Sequence, residues 1–148
     1  MSEDQDLHRK FAVNCFNGTW ELIDKADRTP DEDAKMVHMA HASRYHWGQI
    51  GTPLNIARGD WQISRVYAVL GQGENALYYA KSCLHICIDH DLGDFDLAFA
   101  YEAAARAFAV LGDVEMTKEH LARAQKAGEA IAEEDDQKYF FAELESIQ

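Results

Sequence analysis

Two stretches of the chain share an unusual signature. Asn14-Cys15-Phe16-Asn17-Gly18-Thr19-Trp20 and Asn55-Ile56-Ala57-Arg58-Gly59-Asp60-Trp61 carry Asn, Gly and Trp at the same spacing, 41 positions apart. Leu22 then falls on Ile63, and the same offset carries Val69-Leu70-Gly71 onto Val110-Leu111-Gly112. Self-similarity at a fixed period of this length means a stack of like units. None of them buries its apolar face alone, and each completes its core against its neighbours. That narrows the fold more than any local propensity does.

The units are helical. Apolar residues recur at helical spacing in segments separated by clear stop and start signals. In Thr29-Pro30-Asp31-Glu32, threonine is an N-cap, proline suits the first helical position and Glu32 completes a capping box. Thr52-Pro53 repeats the cap and proline, with Gly51 just before it as a stop. Gly93-Asp94 and Gly112-Asp113 are further stop-start pairs, and Gly71-Gln72-Gly73 is a tight break. These marks predict seven helices, near 5–27, 31–49, 53–70, 74–91, 95–111, 114–130 and 135–146, with no strand signal. The last places Phe140, Leu144 and Ile147 on one side and is expected to cap the pair before it.

With 148 residues the chain suits one domain spanning 1–148. The second copy shows Ile63, Ser64, Tyr67, Gly71, Ala76 and Cys83 in order. The third shows Tyr101, Ala104, Ala105, Phe108, Gly112, Leu121 and Ala124. On these residues the chain resembles the tetratricopeptide repeat family, over about residues 5–131. In the first copy Pro30 stands in place of the turn glycine, and the period of 41 exceeds the family's usual period of about 34. The resemblance implies an all-α, right-handed superhelix of three antiparallel helical hairpins plus a C-terminal capping helix. In that family small residues let paired helices approach, and aromatics fill the space between them.

The resemblance also implies that the first helix of each pair lines a concave groove. On the helical wheel, Ile56, Ile63, Tyr67 and Leu70 form a core sector. Arg58, Trp61, Arg65 and Val69 fall on another sector, with Gln62 at its edge. The third copy adds Phe99, Glu102 and Arg106 there, and the first adds Asn17, Trp20 and Asp24. A glycine inside a helix costs roughly 1 kcal/mol relative to alanine. Gly18 and Gly59 therefore point to close approach of a neighbouring helix or of a ligand. Trp20 and Trp61 either seal the seams between hairpins or offer a face to the groove, and one ring can do both. Some family members hold a peptide's terminal carboxylate with lysine, asparagine and arginine on these helices, whereas this chain has arginines. Arginines beside aromatics suit carboxylate-bearing peptides or small anions. The alternative for each arginine is a solvated ion pair with Glu21, Asp24 or Glu102.

The expected groove residues are therefore Trp20, Arg58, Trp61, Gln62, Arg65, Phe99, Glu102 and Arg106. Neither Arg58 nor Arg65 lies on the core sector, so folding is expected to survive loss of both.

Other chemistry is weakly signalled. His38 and His41 lie three apart on one helix face, a spacing that serves two metal ligands, but no third ligand is evident. Cys83, Cys87 and His90 also share a face, with Cys83 already serving as a small packing residue. No phosphate loop, nucleophile elbow or dinucleotide fingerprint occurs, so no catalytic residue and no cofactor is expected. The net charge of −12, with no basic stripe, speaks against nucleic acid and against an anionic membrane surface. The acidic start MSEDQDLHRKF is not a secretory signal, and three cysteines fit free thiols in a cytoplasmic setting. The expectation is a non-enzymatic module binding a protein or peptide segment, one with anionic groups suiting the arginines. A metal-binding helical protein using His38 and His41, or a self-associating unit joined through its exposed repeat ends, is the alternative.

Overall fold

The structure, a computed structural model, describes residues 2–147. It is all-helical: α1 Glu3–Ile23, α2 Pro30–Ile50, α3 Pro53–Val69, α4 Gly73–Asp89, α5 Asp94–Leu111, α6 Val114–Glu129 and α7 Glu134–Glu145. No strand occurs among the described residues. The expected boundaries agree within a few residues, except that α1 ends at Ile23 rather than near residue 27.

The ends form as their side chains dictate. Thr29 Oγ1 accepts from Glu32 N (3.2 Å), and Glu32 Oε1 accepts from Thr29 N (3.0 Å), with Pro30 starting the helix. Gly71 and Gly112, 41 apart, adopt φ +75° and +76°. Each is followed by a residue whose N–H reaches five residues back: Gln72 to Tyr67 O (2.8 Å) and Asp113 to Phe108 O (3.0 Å). The two copies thus close with one backbone turn, a left-handed residue that glycine adopts without steric cost. The first copy lacks that glycine. There Arg28 does the work, donating from Nη1 to the carbonyls of Leu22 (3.1 Å), Ile23 (3.3 Å) and Lys25 (2.7 Å). A cation on the last carbonyls is favoured by the helix dipole.

Short connections bring each helix back against the one before it. The odd-numbered helices also touch in series, α1 to α3, α3 to α5 and α5 to α7, whereas α2, α4 and α6 touch only their neighbours in sequence. The arrangement has two layers, with α5 at its centre. Residues 98–105 of α5 run Ala-Phe-Ala-Tyr-Glu-Ala-Ala-Ala, and all but Tyr101 are buried. A helix apolar nearly all round belongs inside.

Close approach explains the glycines inside α1 and α3. A methyl group at Gly18 would lie 3.1 Å from Met39 Sδ, and one at Gly59 would lie 2.9 Å from Arg44 Cδ. Both partners are on α2, which is held between α1 and α3. Arg44 is itself tied by Nε to Asp60 Oδ1 (2.9 Å), and Asp60 Oδ2 accepts from Ser82 Oγ (2.6 Å), so α2, α3 and α4 are joined. Gly128 does the same for α7: an added methyl would meet Phe140 Cε2 at 2.5 Å and Phe141 Cζ at 2.8 Å. Gly128→Ala should therefore destabilise by about 1–3 kcal/mol through overpacking, against the helix propensity of alanine. Urea unfolding checks this, and a gain in stability would show that α7 is not seated on Gly128.

Histidines also join the layers. His8 Nδ1 and His46 Nδ1 lie 2.8 Å apart, so one donates and the other must be neutral. Burial, and then the charge of His8, push the His46 pKa below its ordinary 6.5. The unfolded chain takes up this proton more readily than the folded one, so its share of stability falls as pH drops below 6.5. The urea midpoint should be lower at pH 5.5 than at pH 7.5, and His46→Phe should flatten that difference; an unchanged pH dependence in the variant would remove the role from His46.

Candidate functional site

The last turn of α1, the middle of α3 and the start of α5 meet along a ladder of rings. Trp20 and Trp61 lie 5.3 Å apart between centroids, and Trp61 meets Phe99 edge-on at 5.4 Å. Phe99 continues to Phe140 of α7, edge-on at 4.9 Å, and to Tyr139 at 5.8 Å. Such tilted and edge-on pairs add roughly 0.5–1.5 kcal/mol each beyond the area they bury. Trp61 touches three of the core clusters. It therefore seals the seam between α3 and α5.

It also lines an opening. A cavity of about 430 Å³ lies among α1, α3, α4, α5 and α7, walled by Phe16, Trp20, Trp61, Phe95, Phe99 and Tyr139. Ala57 and Cys83 line it too, and both are buried. A hydrogen bond with Cys87, and then burial, raise the Cys83 thiol well above its ordinary pKa. Three charged groups complete the lining: Arg58, Asp96 and Asp136. Arg58 Nε and Nη2 hold Asp96 Oδ1 and Oδ2 at 2.9 and 3.2 Å, a two-pronged pair linking α3 to α5. This bond raises the already high pKa of the guanidinium. Asp136 opens α7, and loss of water contact followed by the nearby carboxylates of Glu133 and Asp94 raises its pKa.

Of the eight residues expected on a groove surface, Trp20, Arg58, Trp61 and Phe99 share this cavity. The other four lie elsewhere. Gln62 is buried, and its Nε2 donates to Phe16 O at 2.9 Å. Its Oε1, like Trp61 Nε1, is buried without a partner among the described residues. Arg65, Glu102 and Arg106 form a chain beneath α7. Arg65 Nη2 donates to Glu102 Oε1 (3.0 Å), and Arg106 Nε donates to Glu102 Oε2 (3.1 Å). Glu102 is fully buried and Arg65 is 8% exposed. Arg106 Nη2 reaches Glu143 O (3.0 Å) and Ser146 Oγ (2.8 Å), and Arg65 Nη1 lies 3.5 Å from Glu143 Oε2. The pairing of these arginines with Glu102 was among the expected alternatives. The burial of Arg65 was not, because the wheel of α3 alone does not reveal that α7 folds over it.

His38 is exposed, while His41 Nε2 is 2.9 Å from the Tyr67 hydroxyl and meets Tyr79 edge-on at 5.5 Å. Burial, then His38, push its pKa below 6.5. No set of three or more His, Cys, Asp or Glu side chains is placed to hold a metal ion among the described residues. Nor is any described helix long and apolar enough to cross a membrane.

Phe95, Asp96 and Tyr139 were not singled out in the sequence, and Asp136 was read only as part of the acidic run Glu133-Glu134-Asp135-Asp136 in a solvated turn. Asp96 stands one period after Asn55 and two after Asn14, so the repeat carried its signal. Asp136 and Tyr139 belong to α7, which has no counterpart in the other units. No protein-family model, curated protein or solved structure matches this chain.

The two arginines once grouped together should behave differently. Arg65→Ala leaves the buried Glu102 half-paired and should destabilise by about 3–5 kcal/mol. Arg58→Ala breaks an exposed pair and should lose about 1 kcal/mol at most. Parallel urea unfolding of the two variants checks the contrast, and equal losses would contradict it.

Proposed function

We propose that the chain is a non-enzymatic helical-repeat module of the tetratricopeptide-like kind, a right-handed superhelix of three antiparallel hairpins with α7 as its cap, which binds a segment of another protein. The serial contacts of the odd-numbered helices and the identical turns at Gly71 and Gly112 support the repeat reading. The observation that carries the binding reading is the aromatic-walled cavity of about 430 Å³ among α1, α3, α4, α5 and α7. Aromatic side chains around a partly polar concavity bring apolar contact area at small entropic cost, and they dominate binding energies at protein interfaces. The binding segment sits in this cavity rather than along a row of arginines, since Arg65 and Arg106 are engaged within the fold.

Selection of a random heptapeptide library on the immobilised full chain should enrich a shared motif. Titration of that peptide should change the emission of Trp20 and Trp61. Tyr139→Ala, at an exposed position, should weaken it by about fivefold or more while the variant still unfolds in one cooperative transition, its midpoint lowered only by the loss of the ring pair with Phe99. No enrichment over the bare support, or an affinity indifferent to both Tyr139→Ala and Trp20→Ala, would remove the cavity from the reading.

A further inference from the structure

The charges around the cavity decide what kind of side chain it accepts. Its one cation, Arg58, already gives both prongs of its guanidinium to Asp96. The remaining charged wall residue, Asp136, has no cationic partner within ion-pair distance among the described residues. Its charged neighbours are Glu133, Asp94 and Asp135, all acidic. Counted at neutral pH, the wall carries one positive and two negative charges. An anion entering here would meet net repulsion and an arginine that must first leave its carboxylate. A cation meets a carboxylate with no cationic partner and the aromatic rings of Trp20, Trp61 and Tyr139 that line the cavity. Ring faces attract ammonium and guanidinium groups, more strongly where water is excluded. The chain's net charge of −12 adds long-range attraction for a basic partner.

We propose that the cavity receives the cationic side chain of a lysine or arginine on a partner segment, its alkyl stem against the rings and its charged head toward Asp136. This rests on the reading of the cavity as a segment-binding site, and it reverses the anionic ligand expected from the arginines in the sequence.

Three measurements on the full chain test it. In the peptide selection the enriched motif should centre on lysine or arginine. N-acetyl-lysine methylamide and N-acetyl-arginine methylamide should shift the indole N–H resonances of Trp20 and Trp61 in a saturable way, whereas the glutamate analogue should not. Asp136→Asn should weaken the enriched peptide about threefold to tenfold, the effect of removing one exposed charge partner. Arg58→Gln, which frees Asp96, should tighten it by a similar factor. An enriched acidic motif that binds the cavity and weakens in Arg58→Gln would overturn the cationic assignment and leave the segment-binding reading standing. A basic motif whose binding ignores Asp136→Asn and Arg58→Gln, or cationic amides that leave both indoles unmoved, would overturn the assignment as well. Failure to enrich any motif would remove both.

Discussion

The position of α7 depends on one buried arrangement of charge. Glu102, in the middle of α5, has no exposure to water and is held from two sides by Arg65 of α3 and Arg106 of its own helix. A carboxylate in that setting is tolerable only when its oxygens are paired. The arginines in turn reach the end of α7, at Glu143 and Ser146. Arg65 also lies 5.6 Å over the ring of Trp61. The ionic chain and the aromatic ladder therefore share a residue neighbourhood, and together they fix α3, α5 and α7 relative to one another. The walls of the cavity come from these same three helices and from α1 and α4. Its shape is a consequence of this pairing rather than of any loop.

Apolar packing alone would be less selective. The core is built largely of alanines, with few large side chains: Ala57, Ala76, Ala80, Ala98, Ala100, Ala103 and Ala104 are all buried. Small residues permit many near-equivalent helix registers, because sliding one smooth face past another changes little area. Directional bonds between helices break that degeneracy. Ser64 Oγ donates to Ala76 O across α3 and α4, and Ser43 Oγ to Ala12 O across α2 and α1, both at 2.8 Å. The Asp60 bridge to Arg44 and Ser82 does the same for three helices at once. The protein gains its register from a few satisfied polar groups set in a small-residue core.

Gly59 and Trp61 illustrate how differently two neighbouring residues can be read. The glycine marks a close approach, and the approaching atoms belong to Arg44 of α2, not to a ligand. The tryptophan, off the core sector of its own helix, is nevertheless packed against three clusters, because neighbouring helices cover that side. Sealing a seam and lining a cavity are compatible for a side chain of this size. Trp61 is packed against three clusters and is still only partly buried where it lines the cavity. Trp20 holds the equivalent place on α1, one period earlier, whereas Phe99 of α5 stands one period after Arg58 and meets the Trp61 ring edge-on.

Helix number, the helix ends other than that of α1, and the tight turns at Gly71 and Gly112 were legible in the sequence, because caps, prolines and left-handed glycines act within a few residues of themselves. The repeat added which helices resemble one another, and so brought Trp20, Trp61 and the α5 residues into one group. It could not say how far the stack leaves that group open. Arg58 and Arg65 are seven positions apart on the same helical sector, yet one is exposed with Asp96 and the other is shut beneath α7. Local periodicity assigns a direction to a side chain, whereas burial depends on what arrives there from a distant part of the chain. Asp136 and Tyr139 entered the cavity by that route, from a helix outside the repeat. Only tertiary packing decided which arginines are structural and what sign of charge the cavity presents, since both follow from pairings between residues 37 or more positions apart.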